Sequence, residues 1–257
     1  SIALFFEKPS NRTRVSMETA AIQLGAHPIA LRSEEVGVDT REPADDFARS
    51  LSCYCAAIGA RVFEHALVER LAAAATVPVV NLLSDEAHPC QVLADLLTLR
   101  QRFGTLGGLT VAWVGDGNNV CRSLMTAAPL AGMTVRVAAP AGYEPPAFDL
   151  ERSGVELTHE PTFAVDGADA VYTDVWTSMG QEEEAGARRR AFAGFTVDDD
   201  LFAVAKPEAV FLHCLPAHRG EEVTADVLDG PRSMVWEQAR NRVNAQRGLL
   251  LWLADQS

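Results

Sequence analysis

A short polar segment near the start of the chain carries residue types that bind anions. It reads PSNRTR at residues 9–14 and follows an apolar stretch that ends at Phe6. Ser10 is a good N-cap, which would place Arg12 and Arg14 in the first turn of a helix. Free N–H groups and the helix dipole favour anions at that end, so this composition predicts a phosphate site. The alternative is a capped helix with two solvent-exposed arginines.

The other polar motifs also come directly after predicted strands. The six clusters are residues 9–14, Arg61, residues 88–91, residues 115–119, residues 174–180 and residues 213–216. In an open α/β sheet, the carboxyl ends of parallel strands form the crevice in which ligands bind. Each cluster alone is a weak signal, and their convergence on one edge predicts a ligand site.

Strand-like and helix-like segments alternate along the chain, which is typical of parallel α/β sheets. Residues 33–41 are polar and predict a loop, and residues 181–192 predict an exposed loop or helix. The glycine-rich stretch at residues 104–108 is the best linker candidate. The pattern predicts an α/β fold with two doubly wound parallel-sheet domains and the ligand site in the crevice between them. These domains would be residues 1–104 and 105–242, with a last helix at residues 243–257 packing back on the first.

Composition excludes several classes of protein. Apolar residues make up 48% of the 257 residues, which is enough for a full core. A net charge of −13 argues against nucleic acids and acidic membranes as main partners. Five cysteines form no paired framework, which indicates reduced thiols in a cytoplasmic protein. No apolar run reaches membrane-spanning length. The sequence opens directly on a predicted strand, so we expect it to start within a domain.

Two other kinds of site deserve consideration. Residues 115–120 (GDGNNV) follow a strand and open a helix, as a dinucleotide-binding turn does, but Val120 replaces the third glycine. No acidic residue ends the next predicted strand, so the pattern does not favour a dehydrogenase. The histidines and cysteines that could bind a metal are His88, Cys90, His213, Cys214 and His218. Their spacing matches no common zinc pattern, so we expect no metal site.

Taken together, the motifs resemble those of the aspartate/ornithine carbamoyltransferase family over essentially the whole chain. The matching segments are FEKPSNRTR at 6–14, HPCQ at 88–91, ADL at 94–96, GDGNN at 115–119, DVWTSMG at 174–180 and HCLP at 213–216. The SMG loop and the HCLP turn resemble the ornithine branch specifically. An aspartate enzyme is expected to have a PLP-type turn and basic groups for a second carboxylate.

The resemblance implies a set of residues that bind carbamoyl phosphate. They are Ser10, Asn11 through its backbone N–H, Arg12, Thr13, Arg61, His88, Gln91, Leu215 through its carbonyl, and Arg242. Arg61 and His88 would hold the carbonyl oxygen, on which negative charge grows during attack, and would act as an oxyanion hole. Gln91 and Leu215 would hold the carbamoyl NH2 group. The implied catalytic residues are Arg61, His88, Cys214 and Arg242.

The resemblance also implies an ornithine site. Asn119 would bind the carboxylate region of ornithine, and Asp174, Ser178 and the backbone at Met179 would bind its α-ammonium group. Cys214 and Asp174 would face the side-chain amine. The free amine should have a pKa of about 10.4, as lysine has, and only its neutral form is a nucleophile. No cofactor is needed, and the resemblance implies a homotrimer in arginine metabolism with sites at subunit interfaces.

Two departures from the family pattern carry expectations. Asn11 stands where the family usually has threonine, although a backbone N–H contact survives that change. The family also has a few dozen residues before the first strand, including a helix that packs on the first domain.

A sister transcarbamylase acting on acetylornithine or putrescine is one alternative function. A non-catalytic paralogue that binds carbamoyl phosphate is another.

Overall fold

Parallel strands and helices alternate along the described chain and form two compact units. The structure is a computed structural model that describes residues 1–178, 180 and 182–256. Unit 1 comprises Ser1–Ala94 and Arg240–Ser257, and unit 2 comprises Asp95–Ala239. Both divisions fall inside helices, α5 (Pro89–Phe103) and α12 (Val235–Asp255), so each of these helices supplies residues to both units.

Unit 1 is built on a four-stranded parallel sheet. Its strands are β1 (Ile2–Phe6), β2 (Pro28–Arg32), β3 (Ala57–Arg61) and β4 (Val79–Leu83), in the order β2-β1-β3-β4. Its other helices are α1 (Arg12–Gln23), α2 (Ser33–Val36), α3 (Ala44–Ser52) and α4 (His65–Ala74). The strand order reverses between β1 and β3, where Phe6 lies opposite Arg61. The carboxyl ends of these two strands therefore form a topological switch point, where open α/β sheets bind ligands.

Alternating side chains on β1 bury apolar surface on both faces of this sheet. Leu4 and Phe6 belong to a core that also contains Met17 of α1 and Leu250 of α12. Phe5 points to the opposite face and packs against Phe47 of α3, with ring centroids 5.2 Å apart. This alternation follows from the two-residue period of a strand, and it leaves only the strand ends for polar groups.

Unit 2 is built on a five-stranded parallel sheet. Its strands are β5 (Thr110–Val114), β6 (Thr134–Ala138), β7 (Glu156–Thr158), β8 (Ala170–Thr173) and β9 (Val210–His213), in the order β7-β6-β5-β8-β9. Its other helices are α6 (Asn119–Leu130), α7 (Ala147–Ser153), α8 (Pro161–Val165), α9 (Ala185–Ala191), α10 (Asp199–Ala203) and α11 (Ala225–Leu228), with a 3-10 turn at Glu182–Glu184. Here the strand order reverses between β5 and β8.

The structure contains short helices that the sequence patterns did not predict. Residues 33–41 were expected to form a loop, but Ser33–Val36 form the short helix α2. The Glu35 carboxylate accepts a hydrogen bond from the Arg32 N–H at 3.2 Å, and Gly37 ends the helix in the left-handed conformation. Helices α7 and α8 have too few residues to show a clear helical period in the sequence. Among the described residues, no helix is long and apolar enough to span a membrane.

Candidate active site

The predicted anion-binding segment forms the N-terminus of α1, directly after β1. The helix begins at Arg12, and the Oγ of Ser10 accepts a hydrogen bond from the Thr13 N–H at 3.2 Å. Ser10 therefore makes the capping contact expected of it. Asn11 is exposed and its side chain makes no capping hydrogen bond. The asparagine at position 11, where the family usually has threonine, therefore leaves the start of helix α1 intact.

The hydroxyl of Thr13 accepts hydrogen bonds from two arginines of unit 1. Its Oγ1 accepts hydrogen bonds from Arg61 Nη1 at 3.3 Å and from Arg242 Nη2 at 3.1 Å. Arg242 Nη1 also donates to Gln91 Oε1 at 2.6 Å. All four side chains are buried and come from four different elements, α1, β3, α5 and α12. Four residues that the sequence placed around carbamoyl phosphate are therefore joined by hydrogen bonds.

His88 lies in the turn between β4 and α5 and is 6% exposed. Burial, followed by the positive charges of Arg242, Arg61 and Arg12, holds the pKa of His88 well below its usual value. The imidazole is therefore neutral at physiological pH and can donate one hydrogen bond without carrying a charge. A neutral donor beside guanidinium groups suits a carbonyl oxygen that becomes negative during a reaction.

The two arginines of the N-terminal motif have different surroundings. Arg12 is exposed, and its charge contributes to lowering the pKa of His88. Arg14 instead pairs with Glu18 on its own helix, with Nε and Oε1 2.8 Å apart. Arg12, Arg61 and Arg242 thus supply positive charge around the helix N-terminus, which suits a dianionic ligand. Arg14 is occupied by a helix-surface ion pair.

In unit 2, the carboxylate of Asp174 links three segments. Its Oδ1 accepts hydrogen bonds from the Cys214 thiol at 3.0 Å and from the Val175 N–H at 2.8 Å. Its Oδ2 accepts a hydrogen bond from Asn118 Nδ2 at 2.8 Å. Asp174 follows β8, Cys214 follows β9, and Asn118 lies in the turn after β5. These strand ends flank the switch point of the second sheet, as expected for a ligand site.

Asn118, which the sequence prediction did not include among the site residues, contacts Asp174. Asn118 is the N-cap of α6, and its Oδ1 accepts hydrogen bonds from the N–H groups of Val120 and Cys121. Its amide nitrogen is then directed to Asp174. The N-cap preference for asparagine was a signal in the sequence that singles out this position. Asn119 is the first residue of α6, on the same turn.

The glycine turn before α6 has a packing requirement of its own. A Cβ atom at Gly117 would lie 2.2 Å from the backbone nitrogen of Pro145, so no larger residue fits. The Gly117 N–H donates to the carbonyl oxygen of Tyr143 at 2.8 Å. Close packing against Pro145 therefore explains the glycine at position 117, and binding of a dinucleotide is not needed to explain it.

Arg188 is an exception within the segment 181–192, most of whose described residues are exposed as the sequence predicted. Its side chain is buried, and its Nη1 donates to Asp116 Oδ2 and to the Trp176 carbonyl oxygen, both at 2.9 Å. Burial raises the pKa of Asp116 to about 6, although the Arg188 guanidinium acts in the opposite direction. Arg188 thereby joins the turn after β5 to the segment after β8. Ser178 lies in that segment, and Met179 is outside the described residues.

The side chain of His213 stabilises the turn after β9 through a hydrogen bond with the backbone of that turn. Its Nδ1 accepts a hydrogen bond from the Leu215 N–H at 2.9 Å, so its Nε2 carries the proton and donates to Glu222 Oε1 at 3.1 Å. Leu215 adopts a left-handed conformation with φ of 60°. Ligand atoms of Asp174, His213 and Cys214 lie within 4.8 Å of one another. Both nitrogens of His213 are already hydrogen-bonded, which argues against this histidine as a metal ligand.

The fold and these two clusters define a two-unit parallel α/β protein, with a helix terminus surrounded by arginines in one unit and a carboxylate–thiol pair in the other. The chain belongs to the aspartate/ornithine carbamoyltransferase family. Residues 1–101 match the family's carbamoyl-P binding domain, and residues 107–253 match its Asp/Orn binding domain. The sequence prediction of this family and of two parallel-sheet α/β domains is confirmed.

Individual relatives are similar over nearly the whole chain. Ornithine carbamoyltransferase from Acidothermus cellulolyticus is 55% identical over 99% of this chain and 85% of that protein. The protein of the same name from Thermus thermophilus is 56% identical over 98% of this chain and 84% of that protein. Its crystal structure superposes with a TM-score of 0.92 at 53% identity, covering 98% of this chain and 85% of that chain. The structure from Pyrococcus furiosus gives a TM-score of 0.93 at 52% identity, covering 97% and 82%.

Proposed function

We propose that this protein transfers the carbamoyl group of carbamoyl phosphate to the side-chain amine of L-ornithine, giving citrulline and phosphate. The observation that carries the proposal is the convergence of Arg61 and Arg242 on the Thr13 hydroxyl beside the neutral imidazole of His88. Relatives that are more than 50% identical are named ornithine carbamoyltransferase, which supports ornithine as the acceptor.

Carbamoyl phosphate binds to unit 1 in this proposal. Its phosphate lies on the N-terminus of α1, held by Ser10, Arg12, Thr13 and the backbone N–H of Asn11. Charge-assisted hydrogen bonds from guanidinium groups to phosphate oxygens are short and strong, which suits a dianionic ligand. Residues 1–104 form the carbamoyl-phosphate-binding domain, and the end of the last helix, residues 243–257, packs on it. The match of residues 1–101 to the carbamoyl-P binding model supports this assignment.

The carbonyl of carbamoyl phosphate is polarised by Arg61 and His88. Both groups donate hydrogen bonds to the carbonyl oxygen, which gains negative charge as the amine nitrogen attacks the carbon. The Gln91 side chain and the Leu215 carbonyl hold the carbamoyl NH2 group, and Arg242 orients Gln91 through the 2.6 Å contact. Because Thr13, Arg61, Gln91 and Arg242 are already joined by hydrogen bonds within unit 1, little reorganisation of these side chains is needed during the reaction.

Ornithine binds to unit 2 in this proposal, and we assign residues 105–242, most of which lie in unit 2, to the ornithine-binding domain. Asp174 and Ser178, with the backbone at Met179, bind its α-ammonium group, and Asn119 binds its carboxylate region. Cys214 and Asp174 face the side-chain amine, and their 3.0 Å contact supports a joint role. The hydrogen bond from Asn118 to Asp174 fixes the orientation of that carboxylate.

Transfer forms a carbon–nitrogen bond and breaks the carbon–oxygen bond to phosphate. The amine must be neutral to attack, and removal from water favours that form, as do nearby guanidinium groups. The electron pair of the broken bond leaves with phosphate, which also receives the proton that the amine nitrogen loses. Atoms and charge balance without a metal or an organic cofactor.

We further propose that the enzyme works in the cytoplasm, in arginine metabolism, as a homotrimer or a multiple of one. The five cysteines are free thiols, which suits a reducing compartment. A relative from Pyrococcus furiosus is named as an anabolic ornithine carbamoyltransferase, which supports the metabolic assignment. The resemblance to the family supports the oligomer, and sedimentation of the purified protein measures it.

Product analysis tests the proposed reaction. Purified protein is incubated with carbamoyl phosphate and, separately, ornithine, acetylornithine or putrescine, and the carbamoylated products are measured. We expect citrulline to form fastest, because Asp174 suits a free α-ammonium group. Heat-denatured protein controls for spontaneous carbamoylation of amines. Faster turnover of acetylornithine or putrescine would overturn the substrate assignment, and binding of carbamoyl phosphate without turnover would indicate a non-catalytic paralogue.

The rate should rise from neutral to alkaline pH. Well below the amine pKa, the neutral fraction of ornithine grows about tenfold per pH unit, so kcat/KM for ornithine should rise about thirtyfold between about pH 7 and about pH 8.5. His88 does not contribute to this slope, because its lowered pKa keeps it neutral throughout. Initial rates at saturating carbamoyl phosphate measure the profile, and circular dichroism at each pH controls for unfolding. A flat profile would contradict this account.

A further inference from the structure

A buried polar triad lies beside the carboxyl ends of β8 and β9 in unit 2. Its members are Asp95 of α5, Tyr172 of β8 and Gln238 of α12, and at most 1% of any of them is exposed. The Tyr172 hydroxyl donates to Asp95 Oδ2 at 3.1 Å. Gln238 Nε2 donates to Asp95 Oδ1 at 2.7 Å and to the Tyr172 oxygen at 3.1 Å. None of the three belongs to the proposed substrate-binding set.

The groups around the triad determine which atom donates and which accepts in each of its hydrogen bonds. Gln238 Oε1 accepts a hydrogen bond from the His213 N–H at 3.0 Å, and a backbone N–H can only donate. The amide nitrogen of Gln238 must therefore face Asp95 and Tyr172. Burial and the negative charge of Asp95 raise the pKa of Tyr172 well above its usual value, so its hydroxyl keeps the proton that it donates.

The triad is connected to the site through two neighbouring strands. Thr173 of β8 lies opposite His213 of β9, and the next residues along the chain are Asp174 and Cys214. The triad holds Tyr172, two residues before Asp174, and the backbone N–H of His213, one residue before Cys214. It therefore restrains both strands within two residues of the 3.0 Å contact between the Cys214 thiol and Asp174.

We propose that Gln238, with Asp95 and Tyr172, positions Cys214 against Asp174 for the acceptor amine. This inference rests on the proposed function. A buried polar network is weak evidence for stability, because replacing buried charged groups with well-packed apolar side chains of similar volume is often neutral or stabilising. A fully satisfied polar network instead selects one arrangement of the segments that it joins. Gln238 is a positioning residue, since it acts through the backbone of His213.

Two variants perturb the triad to different degrees. Tyr172→Phe removes one hydroxyl and leaves Asp95 with one donor fewer. Gln238→Glu is close to isosteric but places a second carboxylate against Asp95, at a position where the amide nitrogen lies 2.7 Å away. Asp169→Asn is the control, because Asp169 lies just before β8 at its other end, where it accepts hydrogen bonds from the Thr110 N–H and from Lys206.

Kinetics and thiol alkylation are measured on the full-length variants. Tyr172→Phe should raise KM for ornithine about fivefold, and Gln238→Glu should lower kcat/KM for ornithine more than ~tenfold. The inhibition constant of inorganic phosphate should change less than twofold (about the scatter expected for independent sites), because its partners are in unit 1. Iodoacetamide should alkylate Cys214 at least ~threefold faster once its contact with Asp174 is loosened. Mass spectrometry reads this rate against the exposed thiol of Cys53 as an internal reference.

The outcomes separate a positioning role from a structural one. A change in ornithine KM and in the Cys214:Cys53 alkylation ratio, absent from Asp169→Asn, supports the proposal. A lower melting temperature with both readouts unchanged overturns it, as does an equal change in the phosphate and ornithine constants. If Gln238→Glu does not fold, Tyr172→Phe decides. If the unmodified protein does not carbamoylate ornithine, the proposed function fails, and the alkylation ratio still tests the triad.

Discussion

Replacing Arg61 with leucine should lower kcat about 10²- to 10³-fold, the loss expected when one donor to a developing oxyanion is removed. Arg61 donates to the Thr13 hydroxyl and carries one of the three positive charges that lower the pKa of His88. In the proposed reaction it also donates to the carbonyl oxygen of carbamoyl phosphate. Initial rates of citrulline formation, at saturating concentrations of both substrates, measure the effect.

The same substitution should leave the protein folded and as stable as before. Arg61 and Arg242 bring two positive charges to the same Thr13 hydroxyl, so removing one of them relieves the repulsion between them. The pKa of His88 should rise towards its usual value in the Arg61→Leu variant, which NMR titration of the imidazole can follow. Arg70→Leu is the matched control, since Arg70 forms an exposed ion pair with Asp39 and its loss should alter kcat less than twofold (within ordinary assay scatter). Activity retained in Arg61→Leu would remove Arg61 from the catalytic residues.

Replacing Asp174 with asparagine should lower kcat/KM for ornithine about 10³-fold, since loss of a buried charged partner costs about 2–5 kcal/mol. Asp174 accepts hydrogen bonds from Cys214, Asn118 and the Val175 N–H, and it supplies the negative charge for the ammonium group of ornithine. An amide keeps the shape of the side chain and loses the charge. Steady-state kinetics with ornithine as the varied substrate measure the loss.

The loss should be confined to the acceptor substrate. Binding of carbamoyl phosphate depends on unit 1 residues in our proposal, so its dissociation constant, measured by calorimetry with Asp174→Asn, should stay within about twofold of the unmodified protein. Asp169→Asn changes the same residue type at the other end of β8 and should leave kcat/KM for ornithine unchanged. Equal weakening of both substrates would show that Asp174 supports the fold of the site and does not select the amine.

Sequence patterns singled out most residues of the candidate site because these residues stand at positions with local signals. Ser10, Arg61, Asp174 and Cys214 all come just after strands, or end one, and the strands themselves were recognisable from short apolar runs. Parallel strands end at the same edge of a sheet, so the strand pattern already grouped Ser10 with Arg61 in unit 1 and Asp174 with Cys214 in unit 2. The resemblance of the motifs then attached chemical roles to them, which the proposed experiments test.

Contacts between distant segments had no comparable signal. Thr13 and Arg242 are separated by 229 positions, and only the packing of α12 against the first sheet brings the guanidinium to the hydroxyl. Within the residues that the structure describes, Arg188 is buried against Asp116, although a run of three arginines reads as a solvated surface. A buried partner for a charge is a property of tertiary neighbours, which residue spacing does not encode.

The sequence by itself determined the α/β alternation, the helix that begins after Ser10 and the family, because each depends on short patterns of residue type. Tertiary structure decided which atoms meet: Arg61 and Arg242 at one hydroxyl, Asn118 at Asp174, and Gln238 at the His213 N–H. The physical reason is the range of the interactions. Hydrogen-bond partners must lie within about 3 Å of each other, and helix packing sets that distance for residues far apart in the chain.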